Sequence, residues 1–270
     1  MNSPISWVGG KMKARDLICD RFPPNFERYI EVFGGGGWVL FHKPRHAKFE
    51  VYNDLDSNLV TLFRVLQEDA EALIQKFAFT LNSIEMFKEI KEMFDAGDCH
   101  DKVTLAANFF LWTKLSYGNR RVTYSYQEYD VKTAFDPFRA AHHRLAGIII
   151  DNRDFERVIR HYDSPDAFFY CDPPYFEAED FYKVPFALDD HLRLRELLGS
   201  IKGKFLLSYN DCGFVRELYK RFSLYAYERI NSLALGSENY APYKELLIAN
   251  YDMDERGRQH EQTSLLDFEN

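Results

Sequence analysis

The chain has 270 residues, 46% of them hydrophobic, enough for the core of one large α/β domain or of one domain with an insertion. Its formal net charge of −8 argues against a chain that coats nucleic acid nonspecifically, while leaving room for a local basic groove. No stretch reaches the about 18 apolar residues of a membrane span, no basic-then-apolar leader opens the chain, and Cys19, Cys99, Cys171 and Cys212 are too scattered for a metal site, so reduced thiols in a cytoplasmic protein are expected.

Trp7-Val8-Gly9-Gly10-Lys11 comes first. Its glycines allow close approach of a ligand, and its lysine suits a carboxylate; a turn before a helix at 12–21 explains it equally. Tyr29–Phe33 reads as a strand that runs into Gly34-Gly35-Gly36-Gly37 and then Trp38–Phe41. Strand, glycine turn, helix is the layout of a nucleotide-type cofactor loop, and no Lys-Ser/Thr follows to make it a phosphate-binding loop of the Walker kind. A second strand, Ala47–Tyr52, ends in Asn53-Asp54. Asp54 follows Gly34 by 20 positions, about the spacing at which an acid after the second strand meets ribose hydroxyls. The competing role is capping of the next helix, which Asp56 or Ser57 can also supply.

Residues 57–147 read mostly as helix. Leu59, Leu62, Phe63 and Leu66, then Leu73, Ile74 and Phe77, fall at helical spacing. Asn82-Ser83 starts another helix with Gly97 as its stop; Leu105, Phe109 and Trp112 mark a third; Asp136-Pro137 opens a fourth, with Gly147 past its end. Between the last two, Lys114–Tyr126 mixes aromatic, basic and amide groups in alternation. It reads either as a hairpin displaying groups to base edges and phosphates or as a solvated hairpin on a helical insert.

The α/β rhythm then resumes. Gly147–Ile150 is a strand leading to Asp154-Phe155, an acid and an aromatic that suit a purine, with helix capping by Asp154 as the alternative. Phe168–Cys171 is a short apolar strand that stops at Asp172-Pro173-Pro174-Tyr175. Two prolines force the chain out of the sheet, so Asp172 and Tyr175 stand on a stiff loop at a strand's carboxyl end, where open α/β sheets bind ligands. The Asp172 carboxylate and the Pro173 carbonyl are two acceptors for the two N–H bonds of an aromatic amine, and the Tyr175 ring suits stacking on a base. Phe176–Lys183 follows as an acidic stretch, then a helix at 190–199 capped by Asp189. Lys204–Ser208, Tyr225–Ile230 and Lys244–Tyr251 read as strands, with a helix over 213–221, a break at Gly236–Asn239 and a polar tail from Asp252.

These motifs in this order resemble DNA adenine-N6 methyltransferases of the Dam type, across essentially the whole chain. The matching residues are Trp7–Lys11, Phe33–Gly37, Asn53-Asp54, Asp154-Phe155, Asp172–Tyr175, Leu207–Asn210 and Lys244–Tyr251. The resemblance implies a Rossmann-like α/β sheet of seven strands, one reversed, with a mostly helical DNA-recognition insert. It implies a catalytic domain from 1–56 and 148–251, a recognition insert at 57–147 and a tail at 252–270. It also implies S-adenosylmethionine as cofactor, with Trp7, Gly10 and Lys11 at its methionine end, Phe33, Gly34 and Gly36 in the loop, Asp54 on the ribose, and Asp154 with Phe155 on the adenine. The family's loop often begins Phe-x-Gly-x-Gly, and here Gly34 follows Phe33 directly, so the glycine register is open by one position.

The implied reaction is direct methyl transfer in duplex DNA to a flipped-out adenine held by Asp172, Pro173, Pro174 and Tyr175, with no metal. Lys114, Tyr117, Asn119, Arg120 and Arg121 are the expected DNA-binding residues. The target sequence does not transfer, because the insert resembles the family less closely. An RNA adenine methyltransferase and a DNA-binding relative without activity are the alternatives; enzymes that methylate protein glutamine tend to carry Asn where Asp172 stands. Gln262–Phe268 resembles the short peptide that engages the bacterial sliding clamp, against the reading of a frayed polar terminus. A monomer or weak dimer is expected.

Overall fold

The computed structural model describes residues 1–77, 80, 82–97, 101–176, 186–229 and 243–255. Seven strands form one sheet: β1 (Arg28–Glu31), β2 (Phe49–Asn53), β3 (Ile149–Asp151), β4 (Ala167–Cys171), β5 (Lys204–Asn210), β6 (Ser223–Arg229) and β7 (Tyr243–Ala249), in the order β3-β2-β1-β4-β5-β7-β6. The β2–β3, β1–β4 and β4–β5 pairs are parallel, and β7 runs antiparallel to both β5 and β6. This is the Rossmann-like sheet with one reversed strand that the family resemblance implies. No helix among the described residues is long and apolar enough to cross a membrane.

The chain divides into two compact units. The first holds Met1–Gly10, Gly34–His46 and Val51–Arg153. Its helices are α2 (Ser57–Lys76), α3 (Ile84–Ala96), α4 (Lys102–Lys114) and α5 (Phe135–Leu145). The first three start at a local signal, while α5 begins after Ala134 without a side-chain cap. Asp56 caps α2 by accepting from the Asn58 and Leu59 N–H groups, Ser83 caps α3 through Met86, and Asp101 caps α4 through Val103 and Thr104. Helix α2 breaks at Asp69, whose carboxylate recaps the second half by accepting from Ala72 at 2.9 Å. Helix α4 buries residues around much of its circumference, including Phe109, Phe110 and Trp112. Burying a side chain of that size contributes about 1.5–3 kcal/mol.

The helix expected after the glycine loop does not form; only a 3-10 turn, Leu40–His42, follows. Pro44 disfavours helical backbone at Lys43, which is extended, and buried Arg144 collects the Leu40 and Lys43 carbonyls at 2.9 Å each.

The second unit holds Lys11–Phe33, Ala47–Glu50 and the chain from Asp154 onward. It contains α1 (Arg15–Asp20), α6 (Phe155–Tyr162), α7 (Leu188–Leu198) and α8 (Gly213–Leu218). Helix α7 starts two residues earlier than the sequence suggests. Asp189 lies inside its first turn, Ala187 takes the N-cap position, and the Asp190 carboxylate accepts from the Ala187 N–H at 2.9 Å. Strands β4, β5 and β7 are buried over most of their length, as central strands of a covered sheet must be. The acidic stretch from residue 177, the break at 236–239 and the Gln262–Phe268 motif lie outside the described residues.

Candidate active site

In the second unit, β4 is buried at every position and lies between β1 and β5. Its ladder ends where the prolines begin, so Asp172 stands at the strand's carboxyl edge. Lys11 meets it there: Nζ lies 2.6 Å from Oδ1 and 2.7 Å from Oδ2. The Lys11 side chain is 4% exposed and that of Asp172 18%, so the pair is shielded but reachable from one side. Removing one partner of a shielded pair costs about 3–5 kcal/mol, because the other charge is left alone. Lys11 was matched by resemblance to the cofactor's methionine end; in the structure it is seated on the Asp172 carboxylate.

The Tyr175 ring stacks on Tyr209 with centroids 5.8 Å apart and planes at 27°, and Lys11 Nζ lies 4.9 Å from its centroid. Burial, then the Asp172 charge, holds the Tyr175 phenol well above its usual pKa, so it stays a neutral donor. Its hydroxyl is buried and has no hydrogen-bond partner among the described residues. Asn210 supports the loop's far end by donating from Nδ2 to the Phe176 carbonyl at 3.0 Å, and its Oδ1 is likewise buried without a partner. A buried donor and a buried acceptor beside one loop are costly unless a polar ligand completes them. Tyr209 is itself tied to His191 Nδ1. Tyr209 and Asn210 belong to a matched motif, yet nothing in their spacing announces these supporting contacts.

Phe33 and Phe155 pack at 5.6 Å, both against Phe186 at 5.8 Å, and the Arg193 guanidinium lies 4.3 Å from the Phe155 centroid. Asp154 does cap α6, accepting from Glu156 at 2.9 Å through Oδ1, while Oδ2 pairs with Arg193 at 2.9 Å. Its capping role is therefore realised, and Arg193 is a neighbour that the sequence did not flag.

In the first unit the glycine loop is wedged among aromatic rings. A Cβ on Gly34 would sit 2.2 Å from the Tyr52 ring, so only glycine fits. A Cβ on Gly36 would lie 3.1 Å from Trp7, and one on Gly10 2.6 Å from Trp38. Asp54 fixes the loop from below: Oδ2 accepts from the Gly35 N–H and Oδ1 from the Asp56 N–H, each at 2.8 Å. Burial outweighs those two hydrogen bonds and pushes the Asp54 pKa up to about 6. Asn53 and Arg153 exchange hydrogen bonds at 2.9 and 3.0 Å, and Asn152 donates to the Asp54 carbonyl at 2.8 Å, which buttresses this turn.

The loop after α4 is not a paired hairpin. One antiparallel bridge, Ser116 to Tyr124, closes it, with Tyr117 N–H to Thr123 at 2.7 Å and Ser125 N–H to Leu115 at 2.6 Å. Gly118, Asn119 and Arg121 all have left-handed φ, at 61°, 58° and 59°. Glycine takes this conformation freely, whereas Asn119 and above all Arg121 hold it at a cost. Tyr117 and Arg120 are exposed and Asn119 is half-buried. Lys114 is half-buried, with Nζ 3.1 Å from Ser6 Oγ and a pKa lowered by burial. Arg121, expected to reach DNA, is turned inward and pairs with Asp56 at 3.1 Å.

Comparison with known proteins agrees with this geometry. The model of the D12 class N6 adenine-specific DNA methyltransferases matches residues 7–233. The type II methyltransferase M.CviBI of Paramecium bursaria Chlorella virus NC1A is 24% identical over 93% of this chain and 100% of its own length. M.MjaIII of Methanocaldococcus jannaschii is 26% identical over 92% of this chain and 98% of its own, and M1.LlaDCHI of Lactococcus lactis is 24% identical over 91% and 94%. With the Asp-Pro-Pro-Tyr loop at the end of β4 and the glycine loop anchored by Asp54, the chain belongs to the D12 class of N6 adenine-specific DNA methyltransferases.

Proposed function

We propose that this DNA adenine methyltransferase takes S-adenosylmethionine as its methyl donor and acts on an adenine flipped out of duplex DNA at a fixed short site. The donor set suits the cofactor. Asp54 uses one lone pair of each oxygen on backbone N–H groups, which leaves acceptors for two ribose hydroxyls. Phe33 and Phe155 offer apolar faces for its adenine, with Asp154 beside them; Trp7, Gly10, Lys11, Gly34 and Gly36 complete the proposed set. When bound, S-adenosylmethionine supplies an electrophilic sulfonium methyl.

The chain's own residues act on the base. The Asp172 carboxylate and the Pro173 carbonyl accept the two N6–H bonds and restore electron density to a nitrogen whose lone pair is delocalised into the ring. A carboxylate has about four lone-pair sites, so Asp172 can hold Lys11 and the amino group together. Pro174 stiffens the loop, and Tyr175 holds the base in place. Flipping costs a few kcal/mol, and stacking with phosphate contacts offsets it. Tyr117, Asn119 and Arg120 form the proposed DNA-facing group, with Lys114 and Arg121 more buried behind them, on an insert at 57–147. A cytoplasmic monomer or weak dimer is the proposed state. The Gln262–Phe268 tail is proposed as a clamp-binding peptide; recovery of clamp by the wild-type tail and equally by a Gln262→Ala, Leu265→Ala tail would remove that role.

The placement of Asp172 and Tyr175 on one stiff loop at the end of β4 carries this reading. Its test is incubation with labelled S-adenosylmethionine and DNA lacking adenine methylation, with RNA in parallel, followed by digestion to nucleosides. Label in N6-methyladenine from duplex DNA is the expected result, and sequencing of modified sites yields the target. Label from RNA alone, or none, overturns it.

A further inference from the structure

Arg121 holds a left-handed backbone, with φ 59°, in order to turn inward. That conformation costs a residue with a Cβ about 1 kcal/mol, so something on the inner side must hold it. Its backbone N–H donates to Ser116 Oγ at 2.9 Å, which fixes it to the base of the Tyr117–Asn119 turn. Its side chain is almost fully buried. Nη1 donates to Asp56 Oδ2 at 3.1 Å, and the guanidinium lies 4.8 Å from the rings of Trp7 and Phe109.

Two contact chains run on from there to the glycine loop. In the first, the Asp56 N–H donates to Asp54, and Asp54 accepts from Gly35, each at 2.8 Å. In the second, the Trp7 ring under Arg121 lies directly against Gly35, where a Cβ would stand 2.8 Å from Trp7 Cδ1. Arg121 therefore touches both supports of the glycine loop: Asp56, which reaches it through Asp54, and Trp7. If the recognition loop shifts, Asp56 keeps its burial and loses its cation, and the turn beside it feels the change.

We infer that Arg121 is a positioning residue that couples the recognition loop to the cofactor turn, so that DNA and cofactor each raise the enzyme's affinity for the other. The inference rests on Asp54 as the ribose ligand. Coupling of this kind is reciprocal: the factor by which DNA tightens cofactor binding equals the factor by which cofactor tightens DNA binding.

The test uses the unreactive product S-adenosylhomocysteine, measured by calorimetry on the full chain, alone and with duplex DNA carrying the site found by sequencing. In the wild type, DNA should tighten binding by about fivefold or more, the lower end of common coupling factors. Arg121→Met should bring the factor to below about twofold, and Arg121→Lys should restore part of it, because a lysine keeps the charge but not the fork. Asp56→Asn removes the charge partner while keeping an oxygen that caps α2, so it tests the coupling even if Arg121→Met fails to fold. Arg120→Ala should weaken DNA binding and leave the factor intact. A wild-type factor of one, or a wild-type factor in both Arg121→Met and Asp56→Asn, overturns the inference. Absence of any S-adenosylhomocysteine binding by the wild type overturns the cofactor reading itself, a different outcome from lost coupling.

Discussion

The loop after β4 and the loop after α4 both carry tyrosines, and they are held differently. The first is set by its own strand and prolines and then held by Lys11, Tyr209 and Asn210. A fully buried strand delivers it, two prolines stiffen it, and Lys11 neutralises its acid. The second is fixed by distant partners. One bridge closes it, three of its residues sit in left-handed conformations, Tyr124 reaches Asn82 at 2.7 Å, and Arg121 reaches Asp56. A stiff loop suits chemistry, which needs a fixed position for the reacting atom. A loop held by side chains can take new sequences without disturbing the sheet, which suits target choice.

The largest effect should fall on the chemistry, with a loss of stability beside it because Lys11 is left without its shielded partner. Asp172→Ala is expected to lower kcat by about 10³-fold, the upper range for loss of one aligned transition-state partner, with S-adenosylmethionine binding retained. Steady-state methylation beside calorimetry checks this, and near-normal turnover would remove Asp172 from the mechanism. A second experiment sharpens the contrast through protonation. Asp54, with its pKa near 6 in the fold, is mostly ionised at pH 7 and mostly protonated at pH 5. If only the carboxylate accepts ribose hydroxyls, cofactor affinity should fall about tenfold between those pH values, and Asp54→Asn should flatten the profile. The linked stability effect runs the other way. The folded chain binds this proton more tightly than the unfolded chain, whose value is 3.8, so this contribution is full below about pH 4 and lost as pH rises through about 6.

Smaller effects should appear in the loop after α4. Gly118→Ala meets no close atom, since its Cβ would stand 3.9 Å from Arg120, so its cost is the left-handed backbone alone, about 1 kcal/mol. Thermal unfolding should register that loss, and DNA affinity should drop while kcat at saturating DNA holds. A fall in kcat at saturation would show that the two loops are not separable. Arg120→Ala should weaken DNA binding only a few-fold and lower the slope of log affinity against log salt by about 1, as for one lost phosphate contact. An unchanged slope would leave Arg120 without a phosphate.

What the sequence determined about this protein is whatever local chemistry controls. An apolar run ended by two prolines is a strand and a stiff loop, a glycine run after a strand is a tight turn, and Ser83, Gly97 and Asp56 start or stop helices at short range. Tertiary structure decided the rest, because the partners lie far apart in the chain. Lys11 and Asp172 are 161 positions apart, and Arg121 and Asp56 are 65 apart. No periodicity records such pairs. The same limit explains the missing helix after the glycine loop, where Arg144, about a hundred residues on, captures the carbonyls that a helix would have used. It also explains Arg121: a basic residue in a polar loop reads as a hand held out to DNA, and only its contacts with Asp56 and Trp7 turn that hand inward.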